Sequence, residues 1–241
     1  TQDPLAEKNI RVNPYSWCDC NPIFNIDISG EIPTPYEGAL IAEHVYDGSV
    51  GDVLAGNWKM ISVYKKPGNA SYRGGLYSRT KEDGTIEYAY ANAGTYFENS
   101  ERGRKSLLED LKQPFGNSED MNTSIATAKI IDALYKDCEL TFVGHSKGAA
   151  EATGDALATN RNALLYNPAA INAGAYDLDV SRYNGSMTVY VVKGEILSKV
   201  NDFLNAKVID KIVLLQKQNG TSIDNHTMEA VKKALKEIGY E

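Results

Sequence analysis

The chain has 241 residues and a net charge of −7, from 32 acidic and 25 basic side chains. That length supports one substantial core, and a single domain over residues 1–241 is the expectation. An acidic balance offers no footprint for a phosphate backbone or an anionic membrane surface, and no apolar run approaches the roughly 18 residues of a membrane span. Nucleic-acid binding and stable membrane insertion are therefore not expected.

The first residue is Thr1 rather than Met, which fits a processed or trimmed chain. A removed signal peptide, with a secreted, periplasmic or cell-surface destination, is one expectation, and a cytoplasmic location is the other. Cys18 and Cys20 form a C-x-C pair, and Cys138 is the third cysteine. Three are too few for a disulfide framework. Zinc wants four ligands, and no second C-x-C or histidine cluster is present, so no metal or other cofactor is expected. The readings left are two small apolar residues, or one disulfide to Cys138.

Residues 1–35 carry Pro4, Pro14, Pro22, Pro33 and Pro35, a density that reads as an irregular arm. In "PYEGALIAEHVYDG" the apolar spacing at Ala39, Ile41, Ala42 and Val45 predicts a short helix. "WKMISVY" reads as a strand. "GGLYSRTKEDGTIEYAYANAG" reads as an antiparallel hairpin, with Asp83-Gly84 supplying the φ > 0 turn. Residues 97–117 are charged and read as a loop with a helical piece around "SLLEDL". Ser118 is a candidate cap for a helix whose Met121, Ile125, Ala128, Ile131 and Leu134 share one face. "ELTFVG" is then a strand and "AAEATGDALAT" a helix. "NALLYNP", "MTVYVV" and "KIVLLQ" are three further β-rich runs. Apolar runs alternating with helical patterns indicate an α/β fold with a largely parallel sheet and helices on its faces.

Chemistry concentrates in "ELTFVGHSKGAAEA", where Gly144, Ser146 and Gly148 fit G-x-S-x-G. The pattern alone is common. Here a buried-looking strand runs into it and a small-residue helix runs out, the setting that a nucleophile elbow requires. Glycines on both sides let strand and helix approach closely around the serine, and the helix N-terminus offers N–H groups to an oxyanion. The other reading is a structural glycine turn.

A serine hydroxyl needs a base, and the chain has three histidines. His145 is next to Ser146 on the elbow, so its side chain is expected to point away from the serine's side. His44 falls in the first predicted helix and reads as a packed or surface residue. His226 lies between "SIDN" and "TMEAVKKALKEIG", whose Met228, Val231, Leu235 and Ile238 share a helical face. That is where the base belongs in hydrolases of chain order Ser, acid, His; the alternative is an ordinary first-turn residue. The acid is expected after a strand between the two. Glu195 has the better position in "MTVYVVKGEILSKVNDF" and Asp202 the commoner residue type, while Asp177 and Asp179 precede that strand and fit less well.

With these residues in place, the chain resembles the class 3 lipase group of the α/β-hydrolase fold, and in particular a bacterial branch of uncharacterised lipase-like proteins. "YAYANAGTYF", "LTFVGHSKGAAEA", "ALLYNPAAIN", "VYVVKGEILSKVND" and "NHTMEAV" carry the likeness, in the family's order, over residues 55–238. The resemblance implies that Ala93, Gly94 and Thr95 form the turn whose backbone helps build the oxyanion hole. It assigns the two donors to the N–H groups of Thr95 and Lys147, and the acid to Glu195, followed by the aliphatic pair Ile196-Leu197. His226 matches the C-terminal histidine.

Three departures stand out. The family elbow reads G-H-S-L-G-G, against Lys147 and Ala149 here; Asn92 replaces a frequent arginine; and the acid is Glu rather than Asp. Lys147 either brings a cation to the site, favouring anionic or polar substrates, or pairs with Glu151 one helical turn on. The implied activity is a serine hydrolase of carboxylic esters acting on a small-molecule or lipid ester, with Leu107, Leu108 and Leu111 in a lid over an acyl pocket or an ordinary surface helix. No partner protein is inferable. A non-catalytic ligand-binding protein on this fold, or a thioesterase or peptidase with the same constellation, are the alternatives.

Overall fold

The computed structural model describes residues 33–95, 118–197 and 209–240. Most of the arm, the segment 97–117, the C-x-C pair and Asp202 lie outside them.

Seven strands form one sheet in chain order: β1 (Lys59–Lys66), β2 (Asn69–Thr80), β3 (Ile86–Asn92), β4 (Glu139–His145), β5 (Asn162–Tyr166), β6 (Met187–Val192) and β7 (Lys211–Leu215). β1, β2 and β3 are antiparallel; β3 to β7 run parallel. The sequence marked one hairpin, and the structure has a three-stranded antiparallel unit. β1 joins β2 through Pro67-Gly68, where Gly68 takes a φ of 78° that an L side chain disfavours. The second turn, residues 81–85, is longer than a two-residue hairpin loop. Only Gly84 has positive φ in it, and the Asp83 carboxylate accepts from the Thr85 N–H.

Period-two alternation along the strands divides the interior into two layers. Tyr77, Ala89, Ala91, Val143, Leu164, Tyr166 and Val192 face one side. They pack against α1 (Pro35–His44) and α4 (Met228–Glu237). Leu76, Tyr90, Leu140, Phe142, Leu165 and Val189 face the other, against α2 (Glu119–Leu134) and α3 (Lys147–Thr159). A mostly parallel sheet with helices on both faces is the architecture of an α/β-hydrolase.

Local chemistry sets the helix ends. Thr34 caps α1 in a capping box with Glu37, and Pro35 takes the first helical position, where its missing N–H is no loss. The proline read as the end of the arm thus starts a helix. Ser118 caps α2 as expected, and Thr227 caps α4. Met121, Ile125, Ala128 and Ile131 are buried, but Leu134 in the last turn of α2 is exposed. Met228, Val231 and Leu235 are buried with Ala230 and Ala234, and Ile238 is exposed. Both misplaced residues sit at the C-terminal end of their helix, Leu134 as its last residue and Ile238 as its cap, and periodicity does not report where packing stops.

Candidate active site

The strand–turn–helix at Ser146 has the geometry that the spacing predicts. Ser146 has φ 58° and ψ −123°, a strained conformation for a residue with a Cβ. It stands between the end of β4 and the first residue of α3, with its N–H bonded to the Tyr166 carbonyl at 3.1 Å. The flanking glycines are required by contact. A Cβ at Gly144 would run into the Gly148 carbonyl, and one at Gly148 into the Asn92 carbonyl.

Ser146 is a helix N-cap whose side chain makes no cap bond. Instead its Oγ lies 2.9 Å from His226 Nε2. His226 Nδ1 lies 2.8 Å from Glu195 Oε2. All three residues are buried. The carboxylate can only accept, so Nδ1 carries the proton and the Nε2 lone pair faces the serine hydroxyl. The Leu197 N–H donates to the same Glu195 oxygen at 2.7 Å, which fixes the carboxylate just beyond β6. Burial pushes the Glu195 carboxyl up to about 7, against the lowering effect of the Leu197 N–H. Burial pulls the His226 imidazole down to about 4.

The backbone of His226 is clamped as firmly as its ring. The residue ends a single 3₁₀ turn, Asp224–His226, one position before the Thr227 cap of α4. Its carbonyl accepts from His145 Nε2 at 2.7 Å and from Asn167 Nδ2 at 3.1 Å. Asn167 lies directly after β5 with φ 41°, and its Oδ1 accepts from the Val192 N–H at 2.9 Å. One side chain therefore joins the ends of β5 and β6 to the histidine loop. Asn225 fastens that loop from the other side, accepting from the Gln218 N–H at 2.7 Å.

Asn167, Asn225, Tyr46 and His145 were not read from the sequence as parts of this site. An Asn-Pro step after a buried strand was the available sign for Asn167. His145 makes no bond to Ser146 Oγ, but its ring lies 5.0 Å from that of His226. His44 ends α1 and bonds the Tyr77 hydroxyl and the Asp52 carboxylate, away from the serine. Thr95 is half-buried at the end of the Ala93-Gly94-Thr95 turn after β3. Lys147 is the first residue of α3, a position whose N–H has no intrahelical acceptor.

The Lys147 side chain corrects one expectation. It is buried and presents no cation to a substrate. Nζ lies 2.5 Å from Asp120 Oδ2 and 3.2 Å from Glu151 Oε1, and it donates to the Ser71 carbonyl at 3.3 Å. Burial pulls the ammonium pKa down, but Glu151 and Asp120 beside it more than offset this and hold it above the ordinary lysine value. Asn92, where the family pattern has arginine, donates to Asp155 at 2.6 Å, and Ser124 donates to the same carboxyl. Among the described residues no group of acidic, histidine or cysteine side chains could hold a metal ion, and no helix is long and apolar enough to cross a membrane.

A family model described as a Tle-like phospholipase domain matches residues 37–240. No curated protein matches the chain. Among solved structures, a triacylglycerol lipase from Penicillium expansum is similar at 16% identity, over 79% of this chain and 80% of that one, with a TM-score of 0.47. A Rhizomucor miehei lipase–propeptide complex is similar at 16% identity over 70% of this chain, with a TM-score of 0.43; the chain spans 63% of that protein's length. A hormone-sensitive lipase from a metagenome library shares 10% identity over 86% of this chain and 91% of its own, with a TM-score of 0.39. With its family model covering the sheet, the elbow and the histidine loop, the chain belongs to the Tle-like phospholipase domain family, among the lipase-like α/β-hydrolases.

Proposed function

We propose that the chain is a serine hydrolase of lipid carboxylic esters, phospholipid acyl esters among them, working through Ser146, His226 and Glu195. The observation that carries this reading is the file of contacts from Ser146 Oγ to His226 at 2.9 Å and on to Glu195 at 2.8 Å, built on a strained elbow. Membership of a phospholipase-like family supports the lipid class, and the motif order of class 3 lipases is the finer likeness within it.

Ser146 Oγ attacks the acyl carbonyl while His226 Nε2 takes the hydroxyl proton. The Glu195 carboxylate keeps the Nδ1 proton in place and stabilises the imidazolium as it forms. The N–H groups of Thr95 and Lys147 receive the oxyanion, each contributing on the order of 3 kcal/mol to the transition state. His226 then returns its proton to the departing alcohol. Water enters, loses a proton to Nε2 and attacks the acyl carbon, and Ser146 Oγ leaves as the hydroxyl. Burial serves this sequence because it weakens competition from solvent for each of these hydrogen bonds.

The test is labelling by a fluorophosphonate probe, with Ser146→Ala as control. Labelling of wild type at Ser146 is expected. A wild-type protein that stays unlabelled overturns the catalytic reading in favour of a binding protein. Phospholipid, triacylglycerol and p-nitrophenyl esters of rising chain length then rank the substrates.

A further inference from the structure

A second row of hydrogen bonds runs behind the first. The Tyr46 hydroxyl packs against the backbone of Gly94, so closely that a Cβ there would come within 2.2 Å of it. That hydroxyl is 2.9 Å from His145 Nδ1, and His145 Nε2 is 2.7 Å from the His226 carbonyl. The directions follow from elementary rules. A carbonyl only accepts, so Nε2 carries the proton and Nδ1 is an acceptor. Tyr46 must therefore donate to Nδ1. Burial pulls the His145 pKa down to about 3, with His226 adding to the fall and the bond to its carbonyl opposing it. Burial also pushes the Tyr46 phenol far above its ordinary value. Neither group ionises near neutral pH, so the pattern of donors is constant.

The row reaches both halves of the machinery. Gly94 precedes Thr95, His145 precedes Ser146, and the last acceptor is the main chain of His226 itself. Close packing enforces it, since a Cβ on Gly94 would strike the Tyr46 hydroxyl and come within 2.8 Å of the His145 carbonyl. Tyr46 follows α1 and contributes no atom to the Ser146–His226–Glu195 file, so a purely structural tyrosine would have no reason to touch the oxyanion turn and the elbow together.

We propose that Tyr46 and His145 are positioning residues that hold the oxyanion turn and His226 at a set separation across Ser146. This rests on the hydrolase reading above. An oxyanion donor and a base must both fall within a fraction of an ångström of the reacting carbonyl, and they come from opposite sides of the elbow. Tyr46→Phe removes a single oxygen, leaving a gap against Gly94 and His145 Nδ1 without its donor. His145→Leu cuts the row completely, while His145→Gln keeps an N–H at the reach of Nε2.

The experiment measures kcat and KM on p-nitrophenyl butyrate, the rate of fluorophosphonate labelling, and Tm for the full chain and these three variants. Tyr46→Phe should lose about tenfold or more in kcat and in labelling rate, with KM within about twofold. His145→Leu should lose more, and His145→Gln should regain a large part of it. Wild-type kcat in Tyr46→Phe overturns the proposal, as do equal losses in His145→Gln and His145→Leu, or losses that only track unfolding. A wild-type protein that the probe does not label sinks the hydrolase reading instead, so the two failures are told apart.

Discussion

Ser146 and Lys147 are neighbours in the chain, yet their side chains enter different buried polar clusters on opposite sides of the elbow. The Ser146 cluster is a file with one hydroxyl, one imidazole and one carboxylate, each matched to the next. The Lys147 cluster pairs one ammonium with Asp120 and Glu151, and the Asp155 carboxyl, held by Asn92 and Ser124, acts on Glu151 beside it. Burial acts on both. In the first it pushes base and acid in opposite directions, His226 down to about 4 and Glu195 up to about 7. In the second it pushes Glu151 up to about 8, against the lowering effect of Lys147, and Asp155 up to about 7, against that of Ser124 and Asn92. Desolvation alone therefore does not mark a reactive site. A path for one proton, from a strained hydroxyl to a held base, does.

The contrast predicts that damage to the file removes activity at constant fold, and that damage to the lysine cluster removes stability at constant activity. Ser146→Ala should give the largest effect, a loss of kcat on the order of 10⁴-fold or more with an unchanged Tm. Substantial esterase turnover in that variant would end the assignment of the nucleophile. Glu195→Gln should follow, losing about 10²- to 10⁴-fold in kcat. Asp202→Asn is expected to leave kcat within about threefold, and a larger loss there than in Glu195→Gln would transfer the acid role. The pH profile sharpens the same point. The base must be neutral and Glu195 ionised, so kcat/KM should rise with pH along a limb between about 4 and about 7. Without the anion the imidazolium is less favoured, so the limb of Glu195→Gln should move to lower pH.

Asp120→Ala tests the other side. It strips the buried ammonium of one carboxylate and should cost about 3 kcal/mol in stability, read by urea denaturation, while kcat stays within about threefold. A fall in kcat without loss of fold would break the division between the clusters. The smallest effect concerns pH and stability. Glu151 has a folded pKa of about 8 against 4.5 in its ordinary state, so between these values the fold holds a proton that the unfolded chain has released. Stability contributed this way is complete at low pH and declines as pH rises through that window. Glu151→Gln should remove its share, making Tm fall about 5 °C less than wild type between about pH 5 and pH 8. Parallel Tm–pH curves for the two proteins would contradict it.

Much of the molecule was legible because local rules govern it. The elbow followed from a β-rich strand, two glycines and a small-residue helix in succession. The helix at Ser118 followed from a capping side chain ahead of an apolar period, and the helix after His226 from its apolar period alone. Leu134 and Ile238 were misread because periodicity reports a face and says nothing about where the neighbouring layer stops. The hairpin at Asp83-Gly84 was legible, but the length of its loop, residues 81–85, was not, because Asp-Gly serves several turn types and strand register chooses among them. Lys147 was half legible: its pairing with Glu151 one turn on was one of the two readings, while Asp120, 27 residues earlier, is a partner that local spacing does not show.

By itself, then, the sequence determined an alternating α/β chain, the position of the elbow, and His226 as the histidine placed to serve Ser146. These depend on short-range spacing and on the scarcity of histidine in a 241-residue chain. Only the tertiary structure decided that Glu195 stands behind His226, that Asn167 and His145 grip the histidine's carbonyl, and that the lysine's charge is buried against α2. The reason is that such contacts join residues 27 to 81 positions apart in sequence. Which of many polar side chains meet across that distance is set by how the strands register and the layers stack, and no local pattern encodes it.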